Sequence, residues 1–172
     1  GGNISITTEP GKGTTFTLQL PVNLSMIQGI CVRVGKQRYI LPKSSIKRIL
    51  TLYPKDKLSF QGVLPCLKTN EGILDLLFLH QFFQGKGSNK RRNSGQYVVE
   101  IEKLTNSLGL VVDDIEEVED VVIKPLPTSI FSLPIYGGST ILGDGTVAMI
   151  LDPIGLCNQA LGSIPQGESS HG

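Results

Sequence analysis

Few residues in this chain have the type and spacing that chemistry requires. Gly11-Lys12-Gly13-Thr14 invites a phosphate-loop reading. That motif needs a first glycine five positions ahead of its Gly-Lys pair and a hydroxyl residue directly after the lysine, so that backbone N–H groups wrap the phosphates and the hydroxyl reaches magnesium. Both features are missing, and the segment reads as a hairpin loop, with contact to a nucleotide held mostly by other residues as the alternative. Gly143-Asp144-Gly145 reads as a turn rather than a nucleotide box. His80 and His171 stand apart, and no His, Cys, Asp or Glu cluster has metal-ligand spacing. Cys31, Cys66 and Cys157 are odd in number, widely spaced and outside any CxxC pattern, which supports neither a disulfide framework nor a zinc site and suits a reducing cytoplasm. The acidic run of Asp113, Asp114, Glu116, Glu117, Glu119 and Asp120 has no glycine where a calcium loop needs one, so a solvated acidic turn is expected. Lys90-Arg91-Arg92 has no interleaved aromatics on which bases could stack. Nothing here is a catalytic constellation, and binding is favoured over chemistry.

The elements that would position these residues are mostly strands. Phe16, Leu18 and Leu20 alternate with Thr15, Thr17 and Gln19, and pair back across residues 9–13 with Ile4 and Ile6. Ile30, Val32 and Val34 alternate with Cys31 and Arg33, and Tyr39 to Leu41 resumes beyond the glycine-first turn Gly35-Lys36. A third pair, Val63 to Leu67 with Ile73 to Leu77, is joined by a polar loop ending in Gly72. Leu76, Leu79, Phe82 and Phe83 recur at helical spacing ahead of Gly85 and predict a helix. Gly85 to Gly95 is glycine, serine and basic residues without an apolar anchor, and a mobile surface loop is expected. Tyr97 to Ile101 and Leu108 to Val112 give another hairpin. Val118 to Ile123 is a strand stopped by Lys124-Pro125-Leu126-Pro127, because proline cannot donate to a ladder. Thr140 to Leu142 and Thr146 to Leu151 flank Gly143-Asp144-Gly145, whose two glycines can supply positive φ. Residues from Gly162 onward read as a tail. Short strands at this spacing with glycine turns predict a mainly β fold of small barrels or a sandwich.

Composition narrows the function further. The 172 residues are 40% hydrophobic, enough for one ordinary domain or two small ones. With 16 basic against 15 acidic residues, no electrostatic footprint for nucleic acid is present. No apolar run approaches the roughly 18 to 20 residues of a membrane helix, and no signal peptide is visible at the N-terminus.

In order along the chain, Gly1 to Pro21, Tyr39 to Pro42, Gly109 to Ile115, Val121 to Leu126, and Ile141 to Gly145 with Leu151-Asp152 resemble one family. The opening resembles the last strands of the ATP-binding domain of GHKL-type histidine kinases, and the remainder resembles a CheW-like domain. Together they resemble the chemotaxis histidine kinases of the CheA type. The resemblance implies three parts: residues 1–21 as the end of an ATP-binding domain that begins outside this chain, 22–161 as a regulatory domain of two small SH3-like β-barrels packed together, and 162–172 as a tail. It implies docking to a CheW-type adaptor and to the cytoplasmic tips of chemoreceptors, in the cytoplasm and without direct membrane contact. ATP and magnesium would belong to the parent kinase, whose phosphoacceptor histidine lies elsewhere. Thr14, with Gly13 shaping its turn, would sit on the adenine side of that ATP site. Ile46, Ile49 and Leu50 are the docking candidates, with packing into a barrel core as the other reading. Pro21-Val22-Asn23 would be the joint through which regulation passes. A monomer is expected. The main rival is a free-standing CheW-type adaptor, and a small ligand-binding β-barrel is a third reading.

Overall fold

The computed structural model describes residues 3–19, 25–60, 62, 64–85, 95–101, 108–126 and 133–162. Its first element is the hairpin that the alternation predicts: β1 (Asn3–Glu9) and β2 (Gly13–Gln19) pair antiparallel, with Ile4 opposite Leu18 and Ile6 opposite Phe16. Next come β3 (Met26–Val34) and β4 (Gln37–Pro42), joined at Gly35-Lys36. The chain then crosses a short 3-10 turn, Lys43–Ser45, into β5 (Ile46–Leu52), β6 (Leu58–Phe60), β7 (Pro65–Thr69), β8 (Gly72–Phe78), helix α1 (Leu79–Gln84), β9 (Gln96–Ile101) and β10 (Leu108–Val112). A single residue, Asp113, returns it to β11 (Asp114–Val122), β12 (Tyr136–Ile141), β13 (Val147–Leu151) and helix α2 (Pro153–Gly162).

Two packed sheets follow from this path, in the order β11-β3-β4-β13-β12 and β5-β9-β10-β8-β7-β6. The first is built from both ends of the sequence, and we call it the split barrel. It closes where Lys124 and Ser139 exchange backbone hydrogen bonds of 2.7 and 2.9 Å. The second, the insert barrel, lies wholly within the interruption. Leu52 of β5 and Leu58 of β6, from opposite ends of its ladder, pack in one cluster with Leu74, Leu76, Val98 and Val111, so this sheet also curls round its own interior.

Strand periodicity explains how the two sheets meet. Cys31 and Ile40 point into the split barrel with Val121, Ala148 and Ile150. Their chain neighbours Val32 and Leu41 point the other way, into a layer shared with Val99, Leu110 and Val112 of the insert barrel. Strands at this junction are therefore buried on both faces, and β10 is buried at every residue. One layer of apolar side chains thus separates two barrel interiors.

Several local expectations need correction. Leu76 belongs to β8, and the helix runs only from Leu79 to Gln84, because Leu74 and Leu76 are drawn into the barrel interior by strand alternation. The acidic run is not a turn: from Asp114 it forms edge strand β11, with a register shift between Ile115 and Val118. At residues 143–145 only Gly145 has positive φ. Helix α2 and strands β5 and β6 were not anticipated. Of these, α2 carried a local signal, since Asp152 accepts the N–H groups of Ile154 and Gly155 at 2.9 and 3.2 Å and Pro153 takes the first helical position. Gly162, expected to open the tail, is the last residue of α2, and the basic stretch at 86–94, the joint at 21–23 and the rest of the tail at 163–172 lie outside the described residues.

Gly109 lies where β10 faces β8 and β9, and a Cβ there would come within 2.6 Å of Val98 Cγ1 and 2.8 Å of Leu76 Cδ2. We expect Gly109→Ala to destabilise the chain by about 1 to 3 kcal/mol through overpacking. Gly137→Ala, which meets nothing within 4 Å, should fall within about 0.5 kcal/mol of the parent. Urea unfolding of both variants checks the contrast, and equal midpoints would contradict this packing.

Candidate functional site

The nucleotide-side candidates sit on the first hairpin. Gly13 has φ +118° and opens β2, and the Thr14 hydroxyl lies 3.2 Å from that of Thr8 across the pair. Alternation places both threonines on the same face as Ile4, Ile6, Phe16 and Leu18, and these four apolar side chains remain 58 to 66% exposed. A face of this kind is normally covered. Among the described residues nothing covers it, and the hairpin by itself encloses no nucleotide.

The three docking candidates do not share one surface. Ile46 packs against the layer between the barrels, and Leu50 packs into the insert barrel beside Leu52. Ile49 alone is offered to solvent, at 41% exposure. A bulge decides this. The ladder between β5 and β9 shifts register between Ile46 and Arg48, which resets the alternation. It also brings Lys47 and Arg48 together on one carboxylate, the Glu100 side chain, only 3% exposed, with Arg48 Nε at 2.5 Å and Lys47 Nζ at 3.4 Å. Glu71, from the β7–β8 turn, takes Arg48 Nη1 at 2.5 Å and Lys47 Nζ at 2.9 Å. Ile49 therefore stands beside a neutralised cluster that ties β5 to two other parts of its barrel.

A second charged cluster lies on the split barrel. Arg33 Nη2 binds Asp114 at 2.6 Å, while Arg38 reaches Asp144, the Thr146 hydroxyl at 2.7 Å and Glu116 at 3.7 Å. The Asp144 carboxyl is held well below the usual carboxylate range by hydrogen bonding from the Thr146 hydroxyl, then from Arg38 and the Thr146 N–H. Glu116 also accepts from the Cys31 thiol at 3.6 Å. Within the acidic run, Asp114 and Glu116 are thus paired with Arg33 and Arg38. Among the described residues no group of His, Cys, Asp and Glu could hold a metal ion.

Between the barrels, Phe83 of α1 stacks on Tyr39 of β4 with ring centroids 4.8 Å apart, and faces Tyr136 of β12 at 6.5 Å. Burial pushes both phenol pKa values up, and in Tyr39 the neighbouring Tyr136 adds to it. Remaining exposed apolar side chains include Phe60 at the edge strand β6 and the cross-strand pair Ile141 and Val147. An open pocket of about 350 Å³ is lined by Ile27, Gln28, Lys43 and Ser44. These surfaces suit contacts with other macromolecules. Sequence reasoning missed Phe60, Ile141 and Val147, because alternation locates a face without saying whether another element covers it.

A family model described as CheW-like domain matches residues 28–161. In sequence the chain is similar to Chemotaxis protein CheA of Treponema pallidum, 34% identical over 151 residues, and to Chemotaxis protein CheA of Salmonella typhimurium, 31% identical over 152 residues. Each alignment covers 88% of this chain but only 18% and 22% of those proteins, so the chain spans about a fifth of their length. In structure it is similar to the scaffolding protein TtCheW of Thermoanaerobacter tengcongensis, with a TM-score of 0.58 and 17% identity over 74% of this chain and 90% of that one. At that identity the likeness speaks to fold alone. Among the described residues no helix is long and apolar enough to cross a membrane.

Placing Leu50 inside and Ile49 outside has a direct consequence. Leu50→Glu should cost about 1 to 3 kcal/mol by setting a charge against the insert-barrel core, where Leu50 is half-buried, while Ile49→Glu should stay within about 1 kcal/mol of the parent, both read by urea unfolding. The Asp144 contribution has a defined sign. Its folded pKa lies below the ordinary 3.8, so the stabilisation is present above pH 3.8 and is lost as pH falls through the lowered value. Carboxyl carbon titration by NMR should show the depressed midpoint, and Arg38→Ala should raise it. An unchanged midpoint in that variant would remove Arg38 as a cause.

Proposed function

This chain belongs to the CheW-like domain family and thus to chemotaxis signalling, and from that premise we propose that it is the regulatory and docking part of a chemotaxis sensor histidine kinase. In this reading residues 22–161 bind a CheW-type adaptor and the cytoplasmic tips of chemoreceptors. Residues 1–21 complete an ATP-binding domain whose ATP and magnesium ligands lie on other parts of the parent, with Gly13 and Thr14 at its adenine side. The parent phosphorylates a histidine on a separate domain and feeds a two-component phosphorelay in the cytoplasm. This chain supplies assembly and control rather than chemistry, and neither His80 nor His171 serves as phosphoacceptor.

The observation that carries the reading is the apolar face of the first hairpin. Ile4, Ile6, Phe16 and Leu18 form a strand surface suited to a core, and it precedes the residues that match the family model. A free-standing adaptor needs no such hairpin. That rival keeps some support because the fold likeness to TtCheW covers 90% of that scaffolding protein.

Regulation by docking requires that receptor states differ in their free energy of interaction with arrangements of this domain, since a ligand indifferent to both shifts nothing. Differences of about 1 to 3 kcal/mol suffice for a substantial change in output. In the full kinase, glycines inserted at Pro21-Val22-Asn23 should uncouple kinase output from receptors while adaptor binding persists, and unchanged regulation would defeat that joint.

Calorimetric titration of this chain with the CheW-type adaptor of the same cell tests the reading. Saturable binding to the wild type is expected, weakened at least tenfold by Ile49→Glu if β5 carries the contact, a loss of about 1.4 kcal/mol. Binding retained in the variant would keep the function and move the surface toward Phe60 or the Ile141–Val147 pair. Absence of binding at high micromolar concentration would sink the docking reading. Binding to a kinase regulatory domain in place of the adaptor would favour the rival.

A further inference from the structure

We infer that the buried Glu100 is a positioning residue for the docking strand: its carboxylate holds the bulge that turns Leu50 inward and leaves Ile49 displayed. The register role stands on the geometry of the insert barrel. Its consequence for a partner rests on the docking reading above.

Lys47 is the extra residue of the bulge, since Ile46 pairs with Ile101 while Arg48 pairs with Glu100, the next residue along β9. Two successive residues of β5 therefore stand against Glu100. Their cations are the ones this carboxylate collects, Arg48 Nε at 2.5 Å on one oxygen and Lys47 Nζ at 3.4 Å on the other. In a regular strand those two side chains would point to opposite faces of the sheet. Glu71 bridges the same two cations from the β7–β8 turn.

The competing register follows from the same ladder. Continuing from Ile46 opposite Ile101 without a bulge puts Lys47 opposite Glu100, Arg48 opposite Val99, Ile49 opposite Val98 and Leu50 opposite Tyr97. Val98 faces the insert-barrel interior, whereas Val99 and Tyr97 belong to the layer between the barrels. Ile49 would then point inward, and Arg48 and Leu50 would take the side on which Ile49 is now 41% exposed. Apolar packing separates the two registers weakly at this point, because a branched aliphatic side chain meets Val98 in either one. Further along, the change trades Leu52 for Thr51 in the interior and recovers the pairing that the bulge disrupts. Charge separates them more sharply. Only the bulged register gives Glu100 both cations on its own side of the sheet, and a carboxylate only 3% exposed cannot replace a lost partner with water.

The split barrel repeats the arrangement with the signs exchanged. Strand β11, like β5 the first strand after a crossing between the barrels, shifts register between Ile115 and Val118, and there Glu116 reaches Arg33 and Arg38.

Ile49→Cys and Leu50→Cys, introduced one at a time, read the register, since Cys31, Cys66 and Cys157 are at most 1% exposed and give little background. Iodoacetamide labelling of the folded chain, followed by peptide mass spectrometry, should modify position 49 at least about tenfold faster than position 50. Glu100→Leu should cut that ratio about tenfold, as loss of a hydrogen bond to a charged group would, and Glu100→Gln, which keeps an acceptor oxygen, should cut it less. A ratio unchanged in Glu100→Leu overturns the inference. So does a fall accompanied by equally fast labelling of Cys66, which reports a loosened barrel rather than a changed register. If Glu100→Leu does not fold, Arg48→Ala removes one of the two cations and should lower the ratio in the same direction; an unchanged ratio there counts against Glu100. Titration of Glu100→Leu with the CheW-type adaptor separates this inference from the docking reading, because a lowered ratio with unchanged affinity keeps the register role and takes docking off β5.

Discussion

Everything in this fold depends on one layer of apolar side chains that two barrels share. Val32, Leu41 and Leu151 of the split barrel meet Val99, Leu110 and Val112 of the insert barrel there, with Leu156 of α2 packed among them. The strands that supply these residues must also fill their own barrel interiors with the intervening positions, which is why β10 tolerates no polar residue. Close packing on both faces leaves little room for error, and at Gly109 no side chain fits at all. The split barrel holds together across the interruption because β3 and β4, before it, share one sheet with β11, β12 and β13, after it.

Charge is arranged around this apolar frame rather than through it. Glu100 is the exception, a buried carboxylate with two cations drawn to it by the β5 bulge. Leaving such a group unpaired costs several kcal/mol, so Lys47 and Arg48 are committed to their barrel and offer little to a partner. Arg33 and Arg38 are likewise occupied by Asp114, Glu116 and Asp144. Apolar side chains are also exposed on the surface: Ile49, Phe60, Ile141 and Val147, together with one face of the first hairpin. A module whose two charged clusters are paired internally and whose apolar side chains are exposed in separate places fits a part that joins an assembly at several points.

A docking module can regulate only if it has arrangements that partners distinguish. The two barrels are joined by side-chain packing and two crossings, and no strand of one sheet is laddered to a strand of the other among the described residues.

The sequence by itself determined the antiparallel hairpins, the mainly β class and the absence of a catalytic motif. These follow from local rules: alternation fixes which residues share a face, and a glycine at Gly35 fixes where the strand turns. The register of Ile4 with Leu18 and the pairing of β9 with β10 were legible for that reason. Tertiary structure alone decided the parallel pairings of β8 with β10 and of β4 with β13, because their partners lie far apart in sequence and no local signal links them. It decided the fates of Ile46, Ile49 and Leu50 as well. Their spacing resembles a helical stripe, but a bulge in β5 sends Ile46 to the shared layer, Leu50 to the barrel interior and only Ile49 to solvent. Alternation names two faces of a strand; which of them meets water depends on what folds against it.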